Sequence, residues 1–322
     1  MSKRIFSVSI MMLVCLLLCF SVSFSSDKEF PVRPIEVIVP YSPGGQTDTT
    51  ARAIAEYYNI GQPMAAVNMP GGGGSIAIME VYRSEPDGYR ILIVSRELQM
   101  FGRLSGTIPT PTWKEMICLG LLTFDADVIS VSKDSPFNSF QDLVDYAKEN
   151  PGELTWGAAG TGSSNHVFSA TIWDEFGMDI NYVPYTGNAD ARIAVLGGHL
   201  DVNFGSVSEA KSFVDSGELK PLLITSAQKN KFLPNVPVLG DFGKDMSFGV
   251  TTGLWAPPGT PKETVAKLSS ALEELFHNQD FVDLMTNKLH YEVIWQDPES
   301  VRKSMEEDMP EYEAMVKRVL AE

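Results

Sequence analysis

Pro34-Ile35-Glu36-Val37-Ile38-Val39-Pro40-Tyr41-Ser42-Pro43-Gly44-Gly45-Gln46-Thr47-Asp48 carries the strongest structural signal in the chain. The β-branched run from Ile35 to Val39, with proline at both ends, reads as a buried strand. Tyr41 to Gly45 reads as a tight turn. Ala51, Ile54, Ala55 and Tyr58 then recur at helical spacing within Gln46 to Ile60. The unit is therefore strand, glycine loop, helix. It returns further on: Leu154 to Ala159 reads as a strand, Gly160-Thr161-Gly162-Ser163-Ser164 as a Gly/Ser loop, and Asn165 to Phe176 as a helix. Between and after these units lie strand patterns at 64–67, 90–94, 128–131, 180–185, 201–204 and 221–225. Helical patterns lie at 76–83, 139–149 and 188–196. A late helix is expected from Thr260-Pro261-Lys262-Glu263, which has the form of a capping box with proline at the first helical position. Strands alternating with helices predict an α/β chain with mainly parallel sheets. Two like units far apart in sequence suggest two lobes whose loops face one cleft.

Length and charge fit this picture and exclude others. The chain has 322 residues, 44% hydrophobic and 20% charged, so collagen, coiled coil and disorder are excluded for the whole chain. Lys3 and Arg4, the apolar run Ile5–Phe20 and the small residues Ser23 and Ser25 have the form of a secretory signal, expected to end near residue 25. Its removal takes away both basic residues and shifts the formal charge from −16 to −18. Such a surface repels nucleic acid. An anionic ligand would have to be held by local hydrogen bonds and not by the overall field. Cys15 and Cys19 belong to the signal, and Cys118 alone can form neither an internal disulfide nor a Cys-based zinc site.

Three glycine-rich loops are candidates for ligand contact. In Tyr41–Asp48 the glycines allow close backbone approach, the first helical turn offers unpaired amides, and Ser42 and Thr47 add hydroxyls. The same pattern also suits a plain strand-to-helix turn, with Asp48 as a cap. Asn68 to Gly74 lacks the Lys-Ser/Thr pair of a phosphate-binding loop. Gly160 to His166 carries Asn165 where a dinucleotide fingerprint needs glycine, while its small hydroxyl residues suit a carboxylate. His166 lies in the first turn of a helix, where a structural role outweighs a catalytic one. The four histidines, His166, His199, His277 and His290, show no ligand spacing, and no Gly-x-Ser-x-Gly elbow is present. No catalytic residue, metal or cofactor is expected.

The ordered set of motifs closely resembles the Bug (TctC-like) family, the extracytoplasmic solute receptors of tripartite tricarboxylate transporters. The residues that carry the resemblance are Phe30 to Ile35, Val39 to Arg52, Asn68 to Gly74, Pro86-Asp87-Gly88-Tyr89, Gly160 to Ser163 with His166, Val183 to Gly187, Gly197-Gly198 with Asp201, and Ala256 to Pro261. The resemblance implies a two-lobed periplasmic binding protein fold of type II, each lobe a mainly parallel sheet flanked by helices, with the ligand in the interlobe cleft. It implies a carboxylate-bearing ligand (a di- or tricarboxylate or an aromatic acid) and an integral membrane permease as partner. By residue, it points to Tyr41, Ser42, Gly44, Gly45, Thr47 and Gly72 on one side. On the other it points to Gly160, Thr161, Gly162, Ser163, His166 and Tyr185. Asp48 and Asp201 match family positions and are candidates for ligand contact, with a structural role as the alternative.

One stretch departs from the family pattern. Ser95-Arg96-Glu97 follows a strand where small or polar residues are usual. Arg96 either pairs with a second ligand carboxylate or forms an ion pair with a nearby acid. The expected organisation is a signal at 1–25, one lobe from 27–124 plus 249–322, and the other from 125–248. The product is expected to be a periplasmic monomer. A receptor feeding a sensor kinase and, less well supported, a secreted α/β hydrolase are the alternatives.

Overall fold

Ile35–Val39 form the first strand, β1, of the computed structural model, which describes residues 29–106, 108, 112–158, 161–185 and 187–319. The signal segment expected at 1–25 lies outside the described residues, as do Ala159, Gly160 and Thr186. The described residues Glu29–Val32 belong to one unit, and the body from Arg33 onward forms another.

From β1 the chain passes through α1 (Gln46–Tyr57), β2 (Met64–Asn68), α2 (Ser75–Tyr82), β3 (Arg90–Ser95), α3 (Arg96–Leu104), a short α4 (Thr112–Glu115) and β4 (Ile117–Ser132). There follow α5 (Phe140–Glu149), β5 (Thr155–Ala158), α6 (Ser164–Glu175), β6 (Asn181–Pro184), α7 (Asn188–Leu196) and β7 (Val202–Ser206). The chain ends with α8 (Val207–Asp215), β8 (Leu219–Ile224), β9 (Gly249–Ala256), α9 (Lys262–His277), α10 (Gln279–Asp283), β10 (Glu292–Gln296) and α11 (Pro298–Val319).

The described strands form one ten-stranded sheet along the path β2-β1-β3-β9-β4-β7-β5-β6, with β8 and β10 also pairing with β4. Parallel pairing holds at the flanks, where β1 lies between β2 and β3 and β5 lies between β6 and β7. The centre is antiparallel: β9 pairs with β3 and β4, and β4 pairs with β7, β8 and β10. The sheet is therefore mixed, and the mainly parallel expectation applies only to its outer strands.

β4 organises the whole body. Its stretch Ile117–Ala126 pairs with β9, and from Asp127 onward it pairs with β7 and β8. A Cβ on Gly249 would come within 2.4 Å of the Asp125 carbonyl oxygen, so β9 reaches β4 closely only with glycine there. β4 is buried on nearly every residue and so shows no alternation. That explains why only its end, 128–131, reads as a strand in the sequence.

Two helix starts are capped in different ways. Ser139 and Asp142 form the capping box that starts α5. At α9 the expected box does not form. Pro261 is the N-cap, and the Thr260 hydroxyl instead donates back to the Pro257 carbonyl at 2.9 Å. The core includes Trp156, Trp255, Phe101, Phe140, Phe168 and Phe204, all fully buried. Each such side chain contributes about 1.5–3 kcal/mol by leaving water. α11 lies across α3 and α6: Tyr312 stacks on Phe101 at 4.7 Å and meets Phe168 edge-on at 6.1 Å. Among the described residues no helix is long and apolar enough to cross a membrane.

Candidate functional site

The loops after β1 and β5 leave the C-terminal ends of their strands and each opens a helix, while β3 runs directly into α3. Clefts form at such strand ends, and helix N-termini there favour anions. Two side chains show that the loops after β1 and β5 converge. Gln46, at the start of α1, donates to Asp125 Oδ2 at 3.4 Å. Asn165, in the first turn of α6, donates to Asp127 Oδ1 at 3.2 Å. Asp125 and Asp127 are two residues apart on β4 and so share one face of the strand. The loop after β5 also meets the end of α3: a Cβ on Gly162 would lie 3.0 Å from Ser105 Cβ.

In the first loop, Tyr41, Ser42, Gly44 and Gly45 are exposed and Thr47 is half-buried. Asp48 is buried at 2% exposure and clamps the loop. It accepts from the Gly44 amide at 2.8 Å, Asn68 Nδ2 at 2.8 Å, and Arg52 Nε and Nη2 at 3.0 and 2.9 Å. Burial alone would raise its pKa, but the bonds from Arg52, Gly44 and Asn68 outweigh it and hold the carboxyl below its ordinary range. Asn68 also donates to the Tyr41 carbonyl at 3.0 Å, which ties the loop to the end of β2. The Gly44 amide is thus engaged within the protein. The first-turn amides of α1, at Gln46 and Thr47, have no acceptor within the helix.

The Gly71–Gly74 stretch turns with positive φ at all four glycines, and Gly72 opens a short 3-10 turn. A Cβ on Gly74 would lie 3.9 Å from the Tyr41 hydroxyl, so this turn backs the first loop.

The third loop is held by His166. Gly162, at φ +78°, donates its amide to His166 Nδ1 at 3.0 Å. The imidazole stacks on Tyr182 at 4.1 Å and on Trp156 at 5.7 Å. Burial lowers its pKa to about 4, so it is neutral and an acceptor at pH 7. Ser163 is the N-cap of α6, its hydroxyl accepting from the His166 amide at 3.2 Å. Thr161 is exposed. Gly160 lies outside the described residues. The amides of Ser164 and Asn165 remain without an intrahelical acceptor. Tyr185 covers the neighbouring strand: a Cβ on Gly157 would lie 2.9 Å from its ring.

Two residues stand apart from these loops. Asp201 accepts from the Thr155 amide at 2.8 Å and the Thr155 hydroxyl at 2.7 Å. It sits at the start of β5, about 10 Å of strand from the loop that follows Ala158. Arg96 is committed to acids and to α11. It pairs with Glu97 Oε1 at 3.2 Å and Asp308 Oδ2 at 3.0 Å, and donates to Ser304 and Tyr312. Ser95 is the N-cap of α3, accepting from the Leu98 amide at 3.0 Å. The geometry at Arg96 is that of the ion-pair alternative.

Sequence reasoning missed Gln46, Asp125, Asp127, Asn165 and Ser208. Ser208 donates its amide to Asp125 Oδ1 at 3.2 Å and its hydroxyl to Asp125 Oδ2. Burial pushes the Asp125 carboxyl up to about 7 against the opposing hydrogen bonds from Ser208. Burial, with Asp125 close by, drives Asp127 upward as well. The available signal was Asp125-Ala126-Asp127, two acids on alternate positions inside an apolar run.

The family model of the tripartite tricarboxylate transporter family receptor (TctC) matches residues 50–320. A UPF0065 protein of Bordetella pertussis is 30% identical over 278 residues, covering 84% of each chain. The structure of the periplasmic binding protein BugD is 28% identical with a TM-score of 0.79, covering 90% of this chain and 98% of that one. MatC from Rhodopseudomonas palustris, solved with bound malate, is 28% identical with a TM-score of 0.79 over 89% of this chain and all of that one. Rpa4515 of R. palustris, solved with adipate, is 26% identical with a TM-score of 0.82, covering 90% and 98%. The fold is the α/β fold of periplasmic binding proteins, and the Bug resemblance is borne out. The chain belongs to the TctC family of tripartite tricarboxylate transporter receptors.

Proposed function

We propose that the chain captures a small organic carboxylate between the loops after β1 and β5 and delivers it to a membrane permease, without performing chemistry. The observation that carries this is the convergence of two helix N-termini, α1 and α6, on one segment of β4 through Gln46 and Asn165. Helix N-termini favour negative charge. The relatives solved with malate and adipate support a carboxylate as the ligand class. The donors are then the amides of Gln46, Thr47, Ser164 and Asn165 and the hydroxyls of Ser42, Thr47 and Thr161. Gly44, Gly162, Asp48 and His166 shape the loops. Tyr41, Gly45, Gly72, Ser163 and Tyr185 complete the walls.

In this reading the mature chain divides into a lobe of 27–124 plus 249–322 and a lobe of 125–248, and ligand closes one on the other. Residues 1–25 direct export to the periplasm, where the receptor works as a monomer. A thermal-shift screen of organic acids tests the reading. A ligand at a hundredfold excess over Kd adds about 2.7 kcal/mol, which raises the melting temperature by about 5 °C for a chain of this size. At least one carboxylate is expected to do so. A response confined to neutral sugars would reject the carboxylate assignment.

A further inference from the structure

Asp125 and Asp127 lie where β4 changes partners: up to Ala126 it pairs with β9, and from Asp127 onward with β7 and β8. Both carboxyls are enclosed, at 3% and 0% exposure. Each is held by an uncharged side chain from a different loop. Gln46, after β1, donates to Asp125, and Asn165, after β5, donates to Asp127. Ser208, at the start of α8, gives Asp125 both its amide and its hydroxyl. Asp127 Oδ2 has no hydrogen-bond partner.

The described groups around the pair bring it no cation. Glu97 of α3 and Glu209 of α8 act on Asp127 with its own sign. The arginines beside them are committed, Arg96 to Glu97 and Asp308, and Arg192 to Glu209. On α1, Asp48 is paired with Arg52. Burial keeps Tyr291, ahead of β10, and His166 of α6 neutral, and His290 meets the Phe232 ring. Glu292 of β10 is exposed opposite Phe124, and Lys220 of β8 stands opposite Val131, bonded to Ser135 and Asn138. β7 and β9 carry no ionisable side chain, and the buried face of α9 is apolar. An unpaired buried charge is costly. Burial accordingly raises both carboxyls, Asp125 to about 7, so the enclosed arrangement keeps protons that a hydrated one would release.

We infer that Asp125 and Asp127 form a proton-operated latch between the two lobes: protonated, they let the loops after β1 and β5 close on β4, and ionised, they drive those loops apart. In the closed form Gln46 and Asn165 each seat one loop against an uncharged acid. Loss of the protons sets two like charges on one face of a strand inside the protein. Separation of the loops hydrates them. The acids hold protons more tightly closed than open, so closure is favoured below about pH 7 and loses stability as pH rises past it. Capture of a ligand is then favoured on the acid side of neutrality and release on the alkaline side. This inference rests on the two-lobe reading proposed above and supplies a control on its closure.

The test is a pulsed electron-spin distance measurement on the receptor without residues 1–25, which carry Cys15 and Cys19. Spin labels are placed at Ile76→Cys and Ile193→Cys, side chains 52% and 64% exposed on the two lobes of the proposed division. Cys118 is buried and escapes the label. With Asp125 near 7 when closed and at its ordinary value when open, the ratio of separated to enclosed receptor should rise at least about tenfold from pH 6 to pH 8. Asparagine stands in for the protonated acid. In Asp125→Asn/Asp127→Asn the ratio should change by less than about twofold, with the enclosed distance favoured at both pH values. Asp125→Asn alone should take about tenfold off the rise, which keeps the test open if the double variant does not fold. A wild-type ratio that does not move with pH, or a rise undiminished in Asp125→Asn, overturns the latch while the carboxylate reading stands. If the distance also ignores an organic acid that raises the melting temperature, closure of the lobes falls with it.

Discussion

Asp48→Ala should destabilise the protein by about 3 kcal/mol, and the size follows from its four contacts. The carboxyl is 2% exposed and accepts from two neutral donors, the Gly44 amide and Asn68 Nδ2, each at 2.8 Å. Bonds to a charged acceptor contribute about 1.5–3 kcal/mol each. The Arg52 side chain is 54% exposed, so its ion pair with Asp48 is screened by water and adds at most about 1 kcal/mol. Gly44 is exposed and Asn68 half-buried, so both rehydrate in the variant, which brings the net cost to about 3 kcal/mol. For a chain of this size that lowers the melting temperature by about 5 °C. Urea unfolding followed by circular dichroism measures it directly. The pH dependence adds a second check. The folded pKa of Asp48 is depressed, so in that range the unfolded state binds more protons and stability rises with pH. The gap between wild type and variant should be complete above about pH 4 and close as pH falls below it. A variant within about 0.5 kcal/mol of wild type at pH 7, or a gap that does not narrow as pH falls below about 4, would refute the clamp.

Three further outcomes are expected. Gly162→Ala places a side chain at φ +78° and against Ser105, so stability should fall by about 1–2 kcal/mol, with ligand affinity falling too; denaturation and calorimetry that match wild type would contradict the tight loop. His166 is held neutral with its pKa near 4, so the folded form resists its protonation, and its own contribution to stability, read as the difference from His166→Asn, should drop by about 2 kcal/mol as pH falls from about 6.5 to 4, after allowance for partial solvation. His166→Asn, which keeps an acceptor for the Gly162 amide, should lack that slope in thermal melts. Arg96→Ala leaves Glu97 buried at 1% exposure without its guanidinium partner and should cost about 3 kcal/mol; if it instead weakens ligand binding without destabilising the fold, Arg96 belongs to the ligand site.

Much of the fold is legible in the sequence because its outer units are local. β1 with α1 and β5 with α6 are each written within about 25 residues, with β-branched strand, glycine turn and apolar helical stripe in order. The centre is not local. β4 is buried on both faces and pairs with strands from residues 202–256 and 292–296, so its extent depends on partners far along the chain. α3 contains Gly102 and begins with the charged pair Arg96-Glu97, which conceals a helix whose inner face includes Met100 and Phe101. The site divides in the same way. Glycine and hydroxyl residues mark both loops, yet the sequence does not tell which amides stay free. Gly44 and Gly162 look like ligand donors until Asp48 and His166 are seen to accept from them. Asp201 matches a family motif while its position is at the far end of β5. Asp125 and Asp127 gain their meaning only when Gln46 and Asn165, about 120 residues apart, arrive at the same strand.

The central claim is that a carboxylate lies between the loops after β1 and β5, and a crystal structure of the receptor with its tightest organic acid tests it most directly. The account predicts carboxylate density within hydrogen-bond distance, about 2.7–3.2 Å, of amides or hydroxyls from both loops, at Gln46 or Thr47 and at Ser164 or Asn165. Density bound elsewhere, with both helix N-termini facing only solvent, would contradict it.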